Sequence, residues 1–389
     1  MAKMATQNNI ATGISSTSSD WLVPPPAYVQ RFAVWPDEGP GTWISYDKHP
    51  AYASLVASAS ISTKVAALAG FTKYFALILC KRLISYELIP AHLRRPRSLR
   101  GLWRFFRTGL ANATHKLIRT AQQQNAASGG APVQAALGRD GVCVARIDAE
   151  SVDRIQKAVR PLIEQLRQAR GSRTSRGRDF SESRGTALRT AHGDLFAAVE
   201  GMLQRSGILD GCSAYIGHPA QLVDCNPQIN DPSDDFWQCI FPDRAAELRP
   251  AAYFHRDASG GDIKAIIYLS DVGPNNGPFS YAIGSHHGRG SNLIDWIEET
   301  NDQSGYSSTQ AAARRRFSAL PAVLRRKCAF GNDLLPGTEI TERILQSEWI
   351  IEASQGHIVL FDTKGFHRGG MITEGERVVL TCVIGSSHH

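Results

Sequence analysis

The second half of the chain is a succession of short runs of β-branched, aromatic and aliphatic residues, separated by turn-forming stretches. From Ala214 onward, few segments show helical periodicity between these runs. The runs are SAYIG, FWQCIF, AYFHRD, KAIIYLSDV, PFSYAIGSH, EWIIEA, HIVLFD and RVVLTCVI. Many short strands with turn signals between them are typical of an antiparallel sandwich or jelly roll. The pattern therefore predicts a mainly β fold with flanking helices.

Changes in composition divide the chain into three parts. Residues 1–20 are rich in Ser, Thr, Ala and Asn and are predicted to form a disordered leader, and residues 21–130 are predicted to form a basic, partly helical extension. The stretch AQQQNAASGGAP has the composition of a linker, so the main β domain is predicted to cover residues 131–389. Residues 292–340 break the strand pattern and predict a helical insertion within that domain.

The main domain is expected to open with a strand and a helix. GVCVARI predicts a short strand, and SVDRIQKAVRPLIEQLRQA carries apolar residues on one helical face. Ser151 is the predicted cap of this helix. The polar, Gly-rich residues 171–185 predict a loop over the surface.

The positive charge of the chain is concentrated in the extension. Residues 81–119 hold ten Lys or Arg against one acid, Glu87, which is a net charge of +9 in a chain whose total is +7. This basic segment predicts an accessory surface, while nucleic-acid binding is not expected for the rest of the chain. Aromatic and basic residues alternate in SLRGLWRFFRTGLANATHKLIRT at roughly helical spacing. Such a helix either packs its aromatics on the main domain or contacts a membrane or another anionic partner.

Three features bear on the cellular compartment. The seven cysteines form no Cys-x-x-Cys pair, which argues against a zinc ribbon and against a secreted disulfide framework. Residues 1–20 lack the basic start and apolar stretch of a secretory signal. The run Val65–Cys80 is too short for a membrane span and contains Lys73. These features predict a cytoplasmic protein, with peripheral membrane contact through residues 65–119 as the alternative.

Four separated residues indicate metal chemistry. His255 and Asp257 lie two positions apart in the predicted strand AYFHRD, so both side chains are expected on one face. Two histidines and one carboxylate form a facial triad that leaves coordination positions on iron(II) for a co-substrate and oxygen. His367, after the strand HIVLFD, is the candidate for the third ligand. Arg377, ten residues further on, offers paired donors that suit the distal carboxylate of 2-oxoglutarate.

These motifs carry a family resemblance over about residues 133–385. The order HRD, KAIIYLSDVGPNNGPFSYAIGSHHG, then FDTKGFHRGG with an arginine ten residues after its histidine, resembles the phytanoyl-CoA dioxygenase-like branch of the 2-oxoglutarate oxygenases. The opening LGRDGVCVARIDAESVDRIQKAV is also similar to the first strand and helix of that family. The resemblance implies a double-stranded β-helix core, a jelly roll of the cupin-like type.

The same resemblance implies the cofactors and a set of site residues. His255, Asp257 and His367 would bind iron(II), and Arg377 would bind 2-oxoglutarate, which is converted to succinate and carbon dioxide with O2 as oxidant. Gln238 is the implied second anchor of the co-substrate, with Tyr268 or Lys264 as alternatives. Gly369 departs from the small polar residue that the family often has there. The presence of Asp257 favours hydroxylation over halogenation, because halogenating members have a small residue at that position.

The substrate and one competing function stay open. The basic segment and the insertion favour an anionic, carrier-linked or lipid-linked substrate over a neutral metabolite, and no residue identifies it. Sugars of glycoconjugates, acyl chains on carriers and natural-product scaffolds are the candidate classes. The competing interpretation is a jelly-roll binding module without turnover. Another alternative is an oxygenase that acts at a membrane or on nucleic acid through residues 81–119.

Overall fold

A computed structural model describes residues 21–22, 46, 50–84, 130–171, 182–184, 188–232, 251, 253–257, 263–287, 297, 300–301, 311–325, 334–335 and 337–386. Several sequence predictions lie outside these residues. They are the leader 1–20, most of the basic segment 81–119, most of the loop 171–185, the run FWQCIF, and Gln238.

Antiparallel strands form two sheets. The strands are β1 (Trp21–Leu22), β2 (Val142–Arg146), β3 (Glu182–Arg184), β4 (Ala220–Asn230), β5 (Ile263–Tyr268), β6 (Phe279–Ala282), β7 (Glu348–Ile351), β8 (His357–Asp362), β9 (His367–Arg368) and β10 (Arg377–Ser386). The larger sheet has the order β1-β2-β8-β5-β10-β4-β3, and the smaller has the order β7-β6-β9. All pairings between these strands are antiparallel, which confirms the predicted antiparallel sheets with flanking helices.

Helices flank the sheets on the outside. They are α1 (Pro50–Ala57), α2 (Ile61–Ile84), α3 (Ala131–Asp140), α4 (Ala149–Gly171), α5 (Leu188–Ala191), α6 (Gly193–Arg205), α7 (Ile208–Ile216), α8 (Ala311–Ser318), α9 (Ala322–Arg325) and α10 (Glu339–Gln346). Among the residues that the structure describes, no helix combines the length and apolar composition needed to cross a membrane.

Apolar residues lie on both faces of the larger sheet. One face packs against α3, α4, α6 and α7, and its strands contribute residues such as Cys143, Ile229 and Leu380. The opposite face packs against the smaller sheet in a second cluster that contains Tyr268, Tyr281 and others. Because side chains alternate along a strand, burial of both faces explains why β8 is buried at every position. The two sheets therefore enclose one interior, and polar residues that face it are candidates for function.

A third cluster joins the N-terminal helices to the insertion. Tyr46, Tyr52, Phe71 and Phe317 meet there, and the rings of Tyr46 and Phe317 lie 5.0 Å apart in an edge-to-face contact. The cluster also contains Phe254 and Phe366, which directly precede His255 and His367 in the chain. The first part of the chain thus packs close to the predicted metal ligands.

Two predicted strands are absent at the positions where the sequence placed them. SAYIG belongs to helix α7, because its apolar partners Ile208, Leu209 and Cys212 precede it at helical spacing. AYFHRD is no regular strand: Tyr253 has a φ of 68°, which interrupts the extended backbone, and His255 forms one isolated bridge with His367. Strand β4 was missed.

The predicted cap of α4 was also wrong. The helix begins at Ala149, and the backbone N–H of Ser151 donates to Oδ1 of Asp148 at 2.8 Å. Asp148 therefore satisfies a free N–H of the first turn, which is the task of an N-cap side chain. This contact lowers the pKa of the Asp148 carboxyl.

The close crossing of α3 and α7 gives a test of the packing. A Cβ at Gly211 would lie 2.5 Å from Cβ of Val133 and 2.6 Å from the carbonyl oxygen of Gly130, whereas a Cβ at Gly138 in α3 meets nothing within 4 Å. We expect Gly211→Ala to lower the free energy of unfolding by about 1–3 kcal/mol through overpacking. Gly138→Ala, the matched control, is expected to raise it by up to about 1 kcal/mol, since alanine favours a helix. Urea denaturation measures both, and equal effects would contradict the crossing.

Candidate metal centre

His255, Asp257 and His367 converge on one point in the interior. Their ligand atoms all lie within 4.8 Å of one another. Oδ1 of Asp257 lies 3.8 Å from Nε2 of His255, and Oδ2 lies 3.7 Å from Nε2 of His367. Three ligand atoms at these separations can surround a single metal ion. Within the described residues, this is the group of His, Cys, Asp and Glu side chains that meets such a criterion.

The backbone fixes the two histidines beside each other. The N–H of His255 donates to the carbonyl of His367 at 3.0 Å, and the N–H of His367 donates to the carbonyl of His255 at 2.9 Å. Each ring then uses Nδ1–H to hold its orientation, donating to Tyr253 O at 2.8 Å and to Gly365 O at 3.0 Å respectively. In this tautomer the Nε2 lone pair of both rings is directed at the centre, which is the form that binds a metal.

The turn between β8 and β9 is held by buried polar contacts. The hydroxyl of Tyr281 donates to the carbonyl of Asp362 at 2.9 Å, and the N–H of Phe366 donates to Oγ of Ser285 at 2.7 Å. The carboxylate of Asp362 accepts from the hydroxyl of Tyr215 at 2.5 Å. The N–H of Asp257 donates to Thr363 O at 3.1 Å, so the same turn also places the third ligand.

Burial keeps the two imidazoles neutral. It lowers the pKa of His255, despite the neighbouring Asp257 carboxylate. Burial, reinforced by the second imidazole, lowers the pKa of His367 to about 3. A neutral imidazole is the form that a metal requires, so protons do not compete for this site near neutral pH.

The carboxylate is kept ionised by its neighbours. Burial alone would raise the pKa of Asp257, but His367, Lys264 and His255 outweigh it and lower the pKa to about 2. Since both imidazoles are uncharged at neutral pH, the ammonium of Lys264 is then the charged partner of the carboxylate. Nζ of Lys264 lies 2.7 Å from Oδ2 of Asp257. The sequence offers Lys264 as an alternative anchor for 2-oxoglutarate, and in the structure its ammonium contacts the carboxylate of Asp257.

Arg377 lies at the start of β10, close to the residues that follow His367. Its Nε and Nη2 donate to Oδ1 of Asn230 at 3.3 and 3.2 Å, and Nη1 donates to the carbonyl of Gly277. A Cβ at Gly369 would lie 3.4 Å from Nη2 of Arg377. The glycine that departs from the family pattern therefore borders the guanidinium, and it leaves space for a ligand where a side chain would stand.

Tyr268 is the remaining predicted site residue that the structure describes. Tyr268 is fully buried between the sheets, where its hydroxyl donates to Ile351 O and accepts from the N–H of Phe279, both at 3.4 Å. Burial raises its pKa, although Arg377 is near enough to oppose the shift. His286 and His287 contact the carbonyls of Gly138 and Arg139, so they hold the end of α3 and do not reach the metal centre.

Polar residues on the interior face of β4 were missed. Cys225 and Ile229 of this strand belong to the helix-side cluster, so Gln228 and Asn230 face the interior. Asn230 contacts Arg377, and Oγ1 of Thr381 donates to Oε1 of Gln228 at 2.9 Å. The alternation in CNPQIN was the available signal, but Pro227 in its middle weakens a strand prediction.

The chain has distant neighbours among solved structures. No family model and no curated protein matches the chain. Among solved structures, AviO1 from Streptomyces viridochromogenes is similar at 17% identity, 68% coverage of this chain, 97% of that chain and a TM-score of 0.38. The epimerase SnoN in complex with Fe3+, α-ketoglutarate and nogalamycin RO is 13% identical, with 66% of this chain and 83% of that chain covered and a TM-score of 0.40. EctD from S. alaskensis with bound Fe is 15% identical, with 68% of this chain and 79% of that chain covered and a TM-score of 0.37.

Two of these neighbours have bound ligands. SnoN and EctD hold iron in their structures, and SnoN also holds α-ketoglutarate. Identity and overlap at this level assign no activity to this chain. The site residues themselves therefore have to support any function.

The neutral imidazoles predict a metal affinity that changes little with pH. Two histidines with the ordinary pKa of about 6.5 would lose roughly a hundredfold in affinity between about pH 7.5 and pH 5.5. Because the pKa of His367 is lowered to about 3 and that of His255 is also lowered, we expect a loss of less than about tenfold over this range. Anaerobic calorimetry with iron(II) measures it. A hundredfold loss would show that the imidazoles are protonated at pH 5.5.

The contact of Lys264 with Asp257 predicts opposite effects with and without metal. Without metal, Lys264→Met leaves a buried carboxylate without its cation, and we expect the free energy of unfolding to fall by about 1–3 kcal/mol. With saturating iron(II) the deficit should shrink, since the metal supplies the positive charge. Lys157→Met is the matched control, because Nζ of Lys157 also lies 2.7 Å from an aspartate, Asp153, but on the surface. For Lys157→Met we expect the free energy of unfolding to change by less than about 1 kcal/mol. Equal deficits with and without metal would contradict the role of Lys264.

Proposed function

We propose that the chain is a mononuclear iron(II)- and 2-oxoglutarate-dependent dioxygenase with a double-stranded β-helix core. The observation that carries the proposal is the convergence of two neutral imidazoles and one ionised carboxylate inside the two sheets. The resemblance to phytanoyl-CoA dioxygenase-like proteins, together with the structural similarity to non-haem α-ketoglutarate-dependent enzymes, agrees with it.

The donor set fits iron(II). His255, Asp257 and His367 would hold the metal through Nε2, a carboxylate oxygen and Nε2. Two imidazoles and one carboxylate leave three coordination positions for other ligands, which is the arrangement of non-haem iron oxygenases. Catalytic zinc can also use two histidines and a carboxylate, but it needs only one further position. An additional anchoring group such as Arg377 fits a co-substrate that occupies two of the three open coordination positions.

Bound iron would supply the activation of O2, coupled to conversion of 2-oxoglutarate to succinate and carbon dioxide. The chain's own residues would bind and orient the reactants. Arg377 would hold the distal carboxylate through its planar fork, and Asn230 fixes the direction of that fork. The rings of Phe361, Phe279 and Tyr281 stand 4.8, 5.9 and 6.5 Å from the ring of His367 and would keep water from the centre.

The proposed reaction is hydroxylation of an unactivated C–H bond. Asp257 occupies the carboxylate position, and this disfavours halogenation. The neighbours SnoN, SnoK and EctD are described as an epimerase, a carbocyclase and a protein that binds 5-hydroxyectoine, so related folds support several outcomes. The substrate is proposed to be an organic molecule of anionic, carrier-linked, lipid-linked or natural-product type.

Succinate formation tests the proposal. Full-length protein is loaded with iron(II) without oxygen, then given 2-oxoglutarate and O2, and succinate is quantified. We expect iron-dependent turnover that is lost in His255→Ala, because one ligand is removed. Arg377→Ala is expected to raise the KM for 2-oxoglutarate by about a hundredfold, and Arg377→Lys by less, since the charge stays but the paired donors are lost.

His287→Ala is the matched control. His287 is an exposed histidine whose ring contacts the carbonyl of Arg139 and the ring of His286, so turnover should be unchanged. Folded protein that binds neither iron nor 2-oxoglutarate would overturn the proposal in favour of a jelly-roll binding module. Circular dichroism of each variant excludes unfolding as the cause.

A further inference from the structure

Helix α2 has one face that belongs to the core. Ala67, Phe71 and Ile78 are buried, and Ala67 and Phe71 belong to the cluster that also contains Phe317 of the insertion. The rings of Phe71 and Phe75 stack with centroids 6.0 Å apart. This face anchors the helix, so its exposed side has a fixed direction outward.

An exposed side of α2, about 110° around the helix axis from the buried face, is apolar as well. Ile61, Val65 and Leu68 are 81%, 64% and 46% exposed. Positions i, i+4 and i+7 form one stripe on a helix. Only two other large hydrophobic residues in the described part of the chain, Val323 and Ile350, are exposed to this degree. Scattered apolar residues on a surface need no explanation, but a stripe on one helix does.

The charged residues of α2 are all basic. Helix α2 contains no acidic residue, and Lys64 and Lys73 are exposed. At about 100° per residue, the two lysines lie on opposite flanks of the stripe, Lys64 about 70° and Lys73 about 110° from its centre. The segment that begins in the last turn of α2, residues 81–119, has a net charge of +9.

Helix α4 shows what an ordinary surface helix of this protein carries. It has 23 residues against the 24 of α2. Its exposed face holds ion pairs of Arg154 with Glu150 and Lys157 with Asp153. Mixed charges of this kind suit water, whereas apolar residues between lysines suit the boundary between a lipid headgroup layer and its acyl chains.

A second copy of the chain fits the stripe less well. In a two-fold interface the same patch meets itself, which would bring lysines against lysines with no acid on α2 to pair with them. An anionic lipid surface takes both the apolar residues and the flanking cations.

We propose that α2 lies on an anionic lipid surface, with Ile61, Val65 and Leu68 inserted between headgroups and with Lys64 and Lys73 contacting lipid phosphates. The helix lies in the plane of the surface and does not cross it. Its apolar residues supply affinity at any salt concentration, and its lysines supply the preference for anionic lipid.

Vesicle sedimentation of the full chain tests this proposal. The probes are vesicles of phosphatidylcholine alone and vesicles that also contain phosphatidylglycerol. The wild type should bind the anionic vesicles. The variant Ile61→Ser/Val65→Ser/Leu68→Ser should partition about tenfold less or weaker still. Lys64→Ala and Lys73→Ala should each cost about fivefold at low salt and little at high salt.

The control is Val323→Ser/Ile350→Ser, which removes the exposed apolar residues outside α2 and should leave binding unchanged. Each remaining outcome overturns the proposal. Triple-variant binding equal to the wild type would assign the affinity to another part of the chain. A lowered melting temperature of the triple variant would show that the stripe is covered by the protein itself. A dimer that the triple variant abolishes, with vesicle binding intact, would assign the stripe to a second copy.

Discussion

The reciprocal backbone hydrogen bonds between His255 and His367 are the contact on which the metal centre depends. They join two segments that are distant in the sequence and outside any long strand. Because each residue gives and accepts one bond, neither backbone segment can shift without breaking its contact with the other. Phe254 and Phe366, the residues before them, pack in one cluster. The same bridge therefore sets the ligand geometry and connects it to the core.

Burial at this bridge decides the electrostatics of the centre. It lowers the pKa of the imidazoles, and it would raise the pKa of Asp257 if no cation were near. Lys264 supplies that cation from β5, so a carboxylate and an ammonium balance each other in the interior. A divalent metal that binds the carboxylate competes with this contact. The affinity for metal then reflects the difference between two cations, and not the attraction of a bare carboxylate.

Sequence reasoning succeeded where the information is local. Strands β2, β5, β7 and β8 follow from runs of apolar residues, and the two-residue spacing of His255 and Asp257 singles them out without any strand. Their role as ligands stays a prediction. Sequence reasoning failed where tertiary contacts decide the secondary structure. The segment SAYIG belongs to helix α7 because the buried residues of that helix precede it, and strand β4 contains a proline. The partner of Lys264 was not predictable, because it depends on which face of β5 meets the loop before it.

Helix α2 relates the metal centre to the outer surface. Its inner face packs in the cluster that contains Phe254 and Phe366. Since packed interiors resist deformation, the outer stripe of α2 and the metal centre keep a fixed relation. If α2 lies on lipid, folding alone sets the height of the centre above the surface, and a lipid-anchored substrate would meet it at one depth. The two proposals remain separable, because vesicle binding needs no metal and succinate formation needs no vesicle.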